Sequence, residues 1–275
     1  MSHRSQNEKL EWIVKELCID SGKYKDLKVS RQDRRNIMRS LMNIRMPRPI
    51  SNEFLEIQDD FLRQESFEKG IVKLETIPTI WEECHSSHPF SNKISIWQGD
   101  ITRLQVDAIV NAANSQMLGC FVPCHGCIDN AIHSSAGIQL REECFRYMNR
   151  KKNEDRNYEE PTGEALLTGA YNLPSRYVLH TVGPIVRNQL NESLKEELRS
   201  CYRSCIDLAV KYGIRSIAFC CISTGEFRFP NVAAADIAIE VIGEKLQEFR
   251  DQIDRVIFNV YKEIDLELYI KGFSK

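Results

Sequence analysis

Apolar and polar residues follow two different spacings along the chain. In residues 1–90 the apolar positions recur at the spacing of a helix face, first in Leu10, Ile13, Val14 and Leu17. This spacing predicts short amphipathic helices. Ser30 with Asp33 predicts the start of a second helix, Pro47 ends it, and Ser51 predicts the cap of a third.

From residue 91 the pattern changes to apolar strands that alternate with helices. Strands are predicted at residues 94–97, 107–111, 164–171, 177–181, 216–222 and 255–261. Helices are predicted at residues 128–148, 193–212 and 232–249, the last apolar almost all round from Val232, and near the C-terminus. Such alternation predicts a mixed, mostly parallel sheet covered on both faces, with ligands beyond the carboxyl ends of its strands. We expect a helical N-terminal extension over residues 1–90 and an α/β domain over residues 91–275.

Composition narrows the class of protein. The chain has 275 residues, 42% of them hydrophobic, and a formal net charge of −2, which argues against a protein that coats nucleic acid. It contains no apolar run long enough to cross a bilayer, and its first residues lack the apolar core of a secretion signal. We therefore expect a cytoplasmic protein whose ten cysteines stay reduced.

Three cysteines and one histidine lie close together in the sequence, at Cys120, Cys124, His125 and Cys127. Thiolates and imidazoles are the ligands that zinc prefers, so we expect a zinc site. All four residues could close a structural site. Alternatively, Cys120, His125 and Cys127 bind the metal, which leaves one position for water or substrate, and Cys124 points away.

Polar residues at strand ends and at the helix start are further candidates. Asp129, at the predicted start of a helix, could cap that helix or orient a water molecule beside the metal. Asn111 and Asn114 end a strand and could satisfy backbone groups or bind sugar hydroxyls. Asp100 ends the preceding strand, where a carboxylate can accept a hydrogen bond from an exocyclic amine.

The segment Ser223-Thr224-Gly225 follows an apolar strand and precedes a helix. Small residues at such a position let backbone N–H groups point toward an anion. A simple turn is the alternative.

Together and in this order, these segments resemble the macrodomain family. The resemblance is carried by residues 98–102, 106–114, 128–129, 132–133, 136–137, 162–165, 171–174, 180–184 and 222–225. The cysteine cluster, which stands where most macrodomains have a glycine run, and the helical extension resemble the zinc-containing branch, whose members are bacterial. The resemblance implies a three-layer α/β/α macrodomain with a mixed central sheet, plus a helical N-terminal extension.

The resemblance also implies an activity, the hydrolysis of mono-ADP-ribose from modified proteins at an ester on an acidic side chain. The residues that would bind ADP-ribose are Asp100, Ile101, Asn111, Asn114, Cys127, Ile128, Asp129, Ser223, Thr224, Gly225, Glu226 and Phe227. Cys120, His125 and Cys127 would hold zinc beside the distal ribose, and Asp129 and Asn114 would be catalytic. Glu226 and Arg228 depart from the family's loop, which has an aliphatic residue and a glycine there.

Two other functions stay open at this point. The domain could read ADP-ribose without cleaving it and hold a structural zinc. The basic residues between Lys23 and Arg48 could bind RNA, although the scarcity of aromatic stacking partners there favours a solvated helix face.

The resemblance implies as substrate a lipoyl-carrier-type protein modified by a sirtuin-like transferase. We expect a monomer with no membrane or nucleic-acid partner.

Overall fold

The computed structural model describes residues 4–274, which form two compact units. The first unit comprises residues 4–70, Leu118–Tyr158 and Ala170–Leu173. The second comprises Ile71–Met117, Glu159–Gly169 and residues 174–274. The domain boundary that we expect between residues 90 and 91 stays a prediction.

Helices and strands follow each other in the order that the sequence predicts. The helices are α1 (Gln6–Ser21), α2 (Arg34–Ile44), α3 (Asn52–Lys69), α4 (Ile80–Cys84), α5 (Ile128–Ala136), α6 (Ile138–Glu154), α7 (Glu192–Lys211), α8 (Asn231–Glu248) and α9 (Glu263–Phe273). The strands are β1 (Val72–Lys73), β2 (Ile94–Gln98), β3 (Leu104–Gln105), β4 (Ala108–Ala113), β5 (Ala165–Gly169), β6 (Tyr177–Val182), β7 (Ser216–Phe219) and β8 (Arg255–Val260).

The starts of the N-terminal helices test the capping predictions. Ser51 is the N-cap of α3, as predicted, and its hydroxyl accepts a hydrogen bond from the Phe54 N–H at 3.1 Å. Of the predicted pair Ser30 and Asp33, Asp33 is the N-cap of α2, and its side chain makes no capping hydrogen bond. The Ser30 hydroxyl instead donates to the Asp33 carboxylate and accepts from the Asp33 N–H, which stabilises the turn before the helix.

One predicted helix, over residues 128–148, is in fact two. Gly137 separates α5 from α6 with a φ of 97°, a left-handed backbone conformation that favours glycine. Its N–H donates to the His133 carbonyl and so closes α5. The chain therefore changes direction one turn after His133 and begins α6 at once.

The first unit has its own apolar core, built by α1, α2 and α3. Its buried residues are Ile13, Val14, Leu17, Cys18, Met38, Leu41, Met42, Phe54, Phe61 and Leu62. Side chains of this kind each contribute about 1.5–3 kcal/mol when fully buried. The helical extension predicted from residues 1–90 is thus a packed structure rather than a set of isolated helices.

The second unit contains a six-stranded sheet in the order β2-β8-β7-β4-β6-β5. All neighbouring strands are parallel except β5, which is antiparallel to β6. The mixed, mostly parallel sheet is therefore confirmed. Because β2, β8, β7, β4 and β6 run in one direction, their carboxyl ends share one edge of the sheet, which we call the carboxyl edge.

Helices of the second unit flank its sheet. α7 lies against β5 and β6, α9 lies against β2 and β8, and α8 packs between α7 and α9. α8 buries a largely apolar set that includes Ile237, Val241 and Ile242, but Val232, which we expected to be buried, is exposed. Among the described residues, no helix combines the length and apolar character needed to cross a bilayer.

Candidate functional site

Three of the predicted metal ligands converge in the first unit. Residues 118–127, here named the cysteine loop, connect β4 to α5 without regular structure. Within it, one ligand atom each from Cys120, His125 and Cys127 lies within 4.8 Å of the other two. The Cys120 Sγ and the His125 Nδ1 are 3.7 Å apart.

This donor set fits a zinc ion. With zinc–sulfur and zinc–nitrogen bonds of about 2.3 and 2.0 Å, two ligands of a tetrahedral zinc stand about 3.5–3.8 Å apart, as Cys120 and His125 do. Cys127 is the N-cap of α5, and its sulfur accepts a hydrogen bond from the Asn130 N–H at 3.4 Å. Burial raises the pKa of the Cys127 thiol to about 12, and a bound cation counters that effect because it favours the thiolate.

Cys124, whose role the sequence leaves open, lies against α2. Its sulfur lies 3.2 Å from the Ser40 hydroxyl and 3.4 Å from the Asn36 carbonyl, both on α2. The backbone at Cys124 has a left-handed φ of 52°, which turns the chain between Cys120 and His125. The geometry therefore favours the three-ligand set over the four-ligand set.

Asp129 lies in the first turn of α5, directly after the cysteine loop. Of the two roles left open for it, that of N-cap is wrong, because Cys127 holds that position and Asp129 lies two residues further on. The carboxylate is buried and lies 3.5 Å from the His133 Nε2, one turn along the helix. Gly119 leaves room for that imidazole, since a Cβ there would lie 2.9 Å from the His133 ring. Ile128, half-buried, is the first residue of α5.

In the second unit, the predicted anion-binding residues form a tight loop at the carboxyl edge. Residues 222–227, here named the Ser223 loop, follow the end of β7. Ser223 has a left-handed φ of 65°, and its buried hydroxyl has no hydrogen-bond partner among the described residues. The Phe227 carbonyl accepts from the Val186 N–H at 2.9 Å, which ties the loop to the segment after β6.

The exposure of the Ser223 loop differs along its length. Gly225 and Glu226 are exposed, whereas Thr224 and Phe227 are half-buried. The Thr224 hydroxyl donates to the Cys221 carbonyl at 3.1 Å. A loop whose middle is open and whose ends are anchored can present its backbone N–H groups to an anion.

Other predicted residues follow the ends of β2 and β4 at this edge. Asp100 follows β2, and its carboxylate accepts hydrogen bonds from the N–H and hydroxyl of Thr102. Ile101, next to it, is buried. Asn114 follows β4, and its side-chain oxygen accepts from the Gln116 N–H at 3.0 Å. Asn114 thus has the backbone contact that the sequence left open as its alternative role, and Asp100 has a backbone contact as well.

Asn111 lies inside the sheet rather than at its end. It is buried in β4, and its amide lies 3.1 Å from the His180 Nδ1 on β6. The His180 Nε2 lies 2.9 Å from the Thr168 hydroxyl. Burial lowers the pKa of His180 to about 3, so the imidazole is neutral. A ligand contact of Asn111 stays a prediction.

The sequence reasoning missed one aromatic residue at the carboxyl edge. Tyr261 directly follows β8, the strand between β2 and β7, and 77% of its surface is exposed. Nearby, the Asn259 amide donates to the Gly99 carbonyl at 3.0 Å and so supports the turn that carries Asp100. An exposed aromatic residue directly after an apolar strand was the signal that could have identified Tyr261.

Comparison with known proteins agrees with this arrangement. A family model described as "Macro domain" matches residues 110–238. The chain is 42% identical to a protein-ADP-ribose hydrolase of Treponema medium, over 98% of this chain and all of that protein. It is 37% identical to a protein-ADP-ribose hydrolase of Staphylococcus aureus strain MSSA476, over 99% and 97% of the two chains.

A solved structure is also similar. The Trypanosoma brucei macrodomain in complex with ADP-ribose has a TM-score of 0.60 and 32% sequence identity. The match covers 98% of this chain and 91% of that one.

Proposed function

This chain belongs to the macrodomain family, and we propose that it is a protein-ADP-ribose hydrolase that uses zinc to remove mono-ADP-ribose from modified proteins. The observation that carries the proposal is the convergence of Cys120, His125 and Cys127 at the start of the helix that contains Asp129. A relative that matches along its whole length bears the name of this activity, which supports the assignment.

Residues at the carboxyl edge of the sheet would supply most of the nucleotide contacts. Backbone N–H groups of the Ser223 loop, from Ser223 through Phe227, would bind the diphosphate. The buried Ser223 hydroxyl supports this assignment, because a polar group buried without a partner is costly unless a ligand satisfies it. Asp100 and Ile101 would bind the adenine, and Asn114 would bind hydroxyls of the distal ribose.

The cysteine loop and the start of α5 would supply the chemistry. Cys120, His125 and Cys127 would hold zinc, which supplies Lewis acidity toward an oxygen of the distal ribose or of water. Asp129 would orient the attacking water and accept its proton. Burial supports that role, since a carboxylate fixed in a dry site loses less of its directing power to solvent.

As substrate we propose a protein that carries ADP-ribose on an acidic side chain through an ester. Holding one water molecule and the metal beside this ester would supply the proximity on which its hydrolysis depends. A lipoyl-carrier-type protein modified by a sirtuin-like transferase is the specific candidate.

The test measures free ADP-ribose from proteins modified on acidic, arginine or serine side chains, together with zinc content and ADP-ribose affinity. We expect release from the acidic linkage, slowed by about 10²- to 10⁴-fold in Asp129→Asn, which keeps the shape of the side chain. Cys127→Ser retains a residue that caps helices well but removes the thiolate, so zinc content and release should both fall.

Cys124→Ser is the matched control, because it changes a thiol of the same loop that faces α2. It should retain zinc and turnover. ADP-ribose binding without any release by the wild-type protein would show a reader module instead. Release that is unaffected by Asp129→Asn and by removal of zinc would refute the proposed roles of both.

A further inference from the structure

The cysteine loop has little structure of its own. It contains no helix or strand, and its residues Val122, Pro123 and Cys124 are exposed. Three ligands on such a segment adopt one arrangement only if other parts of the chain hold the backbone, because a free loop samples many conformations. The contacts that hold this loop come largely from α2 of the N-terminal extension.

Arg39 on α2 holds the histidine end of the loop. Its guanidinium donates to the His125 carbonyl at 3.0 Å and, through two nitrogens, to the Asn130 side-chain oxygen at 2.7 and 2.9 Å. The buried Asn130 in turn donates from its amide to the Val122 carbonyl at 2.9 Å. One arginine thus fixes two carbonyls of the loop and the first turn of α5.

Asn43, one turn further along α2, holds the middle of the loop. Its side-chain oxygen accepts a hydrogen bond from the Cys124 N–H at 2.9 Å. Its amide donates to the Ser134 hydroxyl on α5 at 3.0 Å. Asn43 is buried, and residues four apart on a helix share one face, so Arg39 and Asn43 form a single polar surface toward the loop.

Arg141 on α6 holds the other end of the loop to α2. Its buried guanidinium donates to the Leu118 carbonyl at 2.6 Å and to the Met42 and Asn43 carbonyls at 2.8 and 2.7 Å. The Phe121 ring lies over the guanidinium, 4.4 Å from ring centre to carbon. The last carbonyls of a helix need such donors, so this contact fixes where α2 ends relative to the loop.

We propose that α2 is part of the metal site. Its residues Arg39 and Asn43 are positioning residues, which hold Cys120, His125 and Cys127 at ligating distance. This inference rests on the proposed zinc site. The physical reason is preorganisation. A protein binds a metal more tightly when its ligands are already ordered, so residues that hold the ligands in place raise the affinity for the metal.

The experiment compares Arg39→Met with Arg35→Met. Arg35 is the matched control, because it lies one turn earlier on α2 and forms a two-point ion pair with Glu65 on α3 at 2.5 and 2.8 Å. Zinc affinity is measured by competition with a chromogenic chelator, and the ligand geometry by the absorption spectrum of the Co²⁺-substituted protein. Urea unfolding of the metal-free proteins reports stability separately.

We expect Arg39→Met to weaken zinc affinity about 10- to 100-fold and to change the cobalt spectrum. Arg35→Met should lower the free energy of unfolding. It should change zinc affinity by no more than about twofold and leave the cobalt spectrum unchanged. Should Arg39→Met fail to fold, Arg39→Lys replaces it, because lysine keeps the charge but cannot bridge the His125 carbonyl and Asn130 together. We expect the same direction of change.

Each contrary result has a distinct meaning. If wild-type protein binds no zinc, both this inference and the metal part of the proposed function are wrong. If wild-type protein binds zinc but Arg39→Met and Arg39→Lys bind it equally well with an unchanged cobalt spectrum, only the role of α2 is wrong. An equal loss in Arg35→Met would also refute it, since general destabilisation would explain both variants.

Discussion

Gly183→Ala tests whether the Ser223 loop binds the diphosphate of ADP-ribose. Gly183 follows β6, and a Cβ at this position would overlap the Ser223 hydroxyl and lie 2.9 Å from the Ile222 Cγ2. Ile222 and Ser223 are both buried, so neither side chain can move into solvent. The added methyl group must therefore displace the loop itself.

The size of the effect follows from this geometry. Inserting a methyl group into a packed site costs about 1–3 kcal/mol of folding free energy. Ser223 already has a left-handed φ of 65°, so the loop has few other conformations available. If one backbone hydrogen bond to the diphosphate is lost, at about 1.5–3 kcal/mol for a bond to a charged group, ADP-ribose affinity falls about 10- to 100-fold.

Isothermal titration calorimetry with ADP-ribose measures the affinity, and urea unfolding measures the stability. Gly213→Ala is the control: Gly213 has a φ of 67° in open space after α7, so alanine there should cost a similar free energy of unfolding through backbone strain. It should leave ADP-ribose affinity unchanged. Wild-type affinity in Gly183→Ala would refute the role of the loop, and an equal loss in Gly213→Ala would attribute the effect to stability.

Two further predictions concern the first unit. Gly119→Ala places an alanine at a left-handed φ of 76°, with its Cβ 2.9 Å from the His133 ring. It should lower the free energy of unfolding by about 1–3 kcal/mol. It should also weaken zinc affinity, which chelator competition measures. Gly126→Ala, whose Cβ meets nothing within 4 Å, should do neither; equal effects would contradict the steric argument. Ser51→Ala should cost about 0.5–2 kcal/mol in urea unfolding because it removes the hydroxyl that caps α3, and an unchanged free energy of unfolding would contradict this assignment.

Periodicity predicted the elements well where the pattern was local. The strand expected at residues 94–97 is observed as Ile94–Gln98, and that expected at residues 177–181 as Tyr177–Val182. One error arose where a single residue changed the backbone direction. Gly137 looked like an ordinary glycine in a helical pattern, yet its left-handed φ divides α5 from α6. A single glycine is compatible with both outcomes until the packing around it is known.

The chemistry of the candidate site was predictable in part for a different reason. Cys120, His125 and Cys127 were predicted as ligands because few other functions place thiols and an imidazole so close together where thiols are expected to stay reduced. Residue type could not separate Cys124 from them, since all four side chains can bind zinc. The separation comes from Ser40 on α2, which is 84 residues away in the chain.

The supporting residues of the cysteine loop show why the rest of the site escaped sequence reasoning. Arg39 and Asn130 are 91 residues apart, and neither belongs to a motif. Arg39 also lies in the basic stretch that the sequence predicts to be a solvated helix face. Positive charge alone does not distinguish a side chain that faces water from one that faces backbone carbonyls. What distinguishes them is the geometry of the acceptors: the guanidinium meets two fixed oxygens at once, which only a planar fork of donors can do. On our proposal, the polar face of α2 that meets the cysteine loop is part of the zinc site.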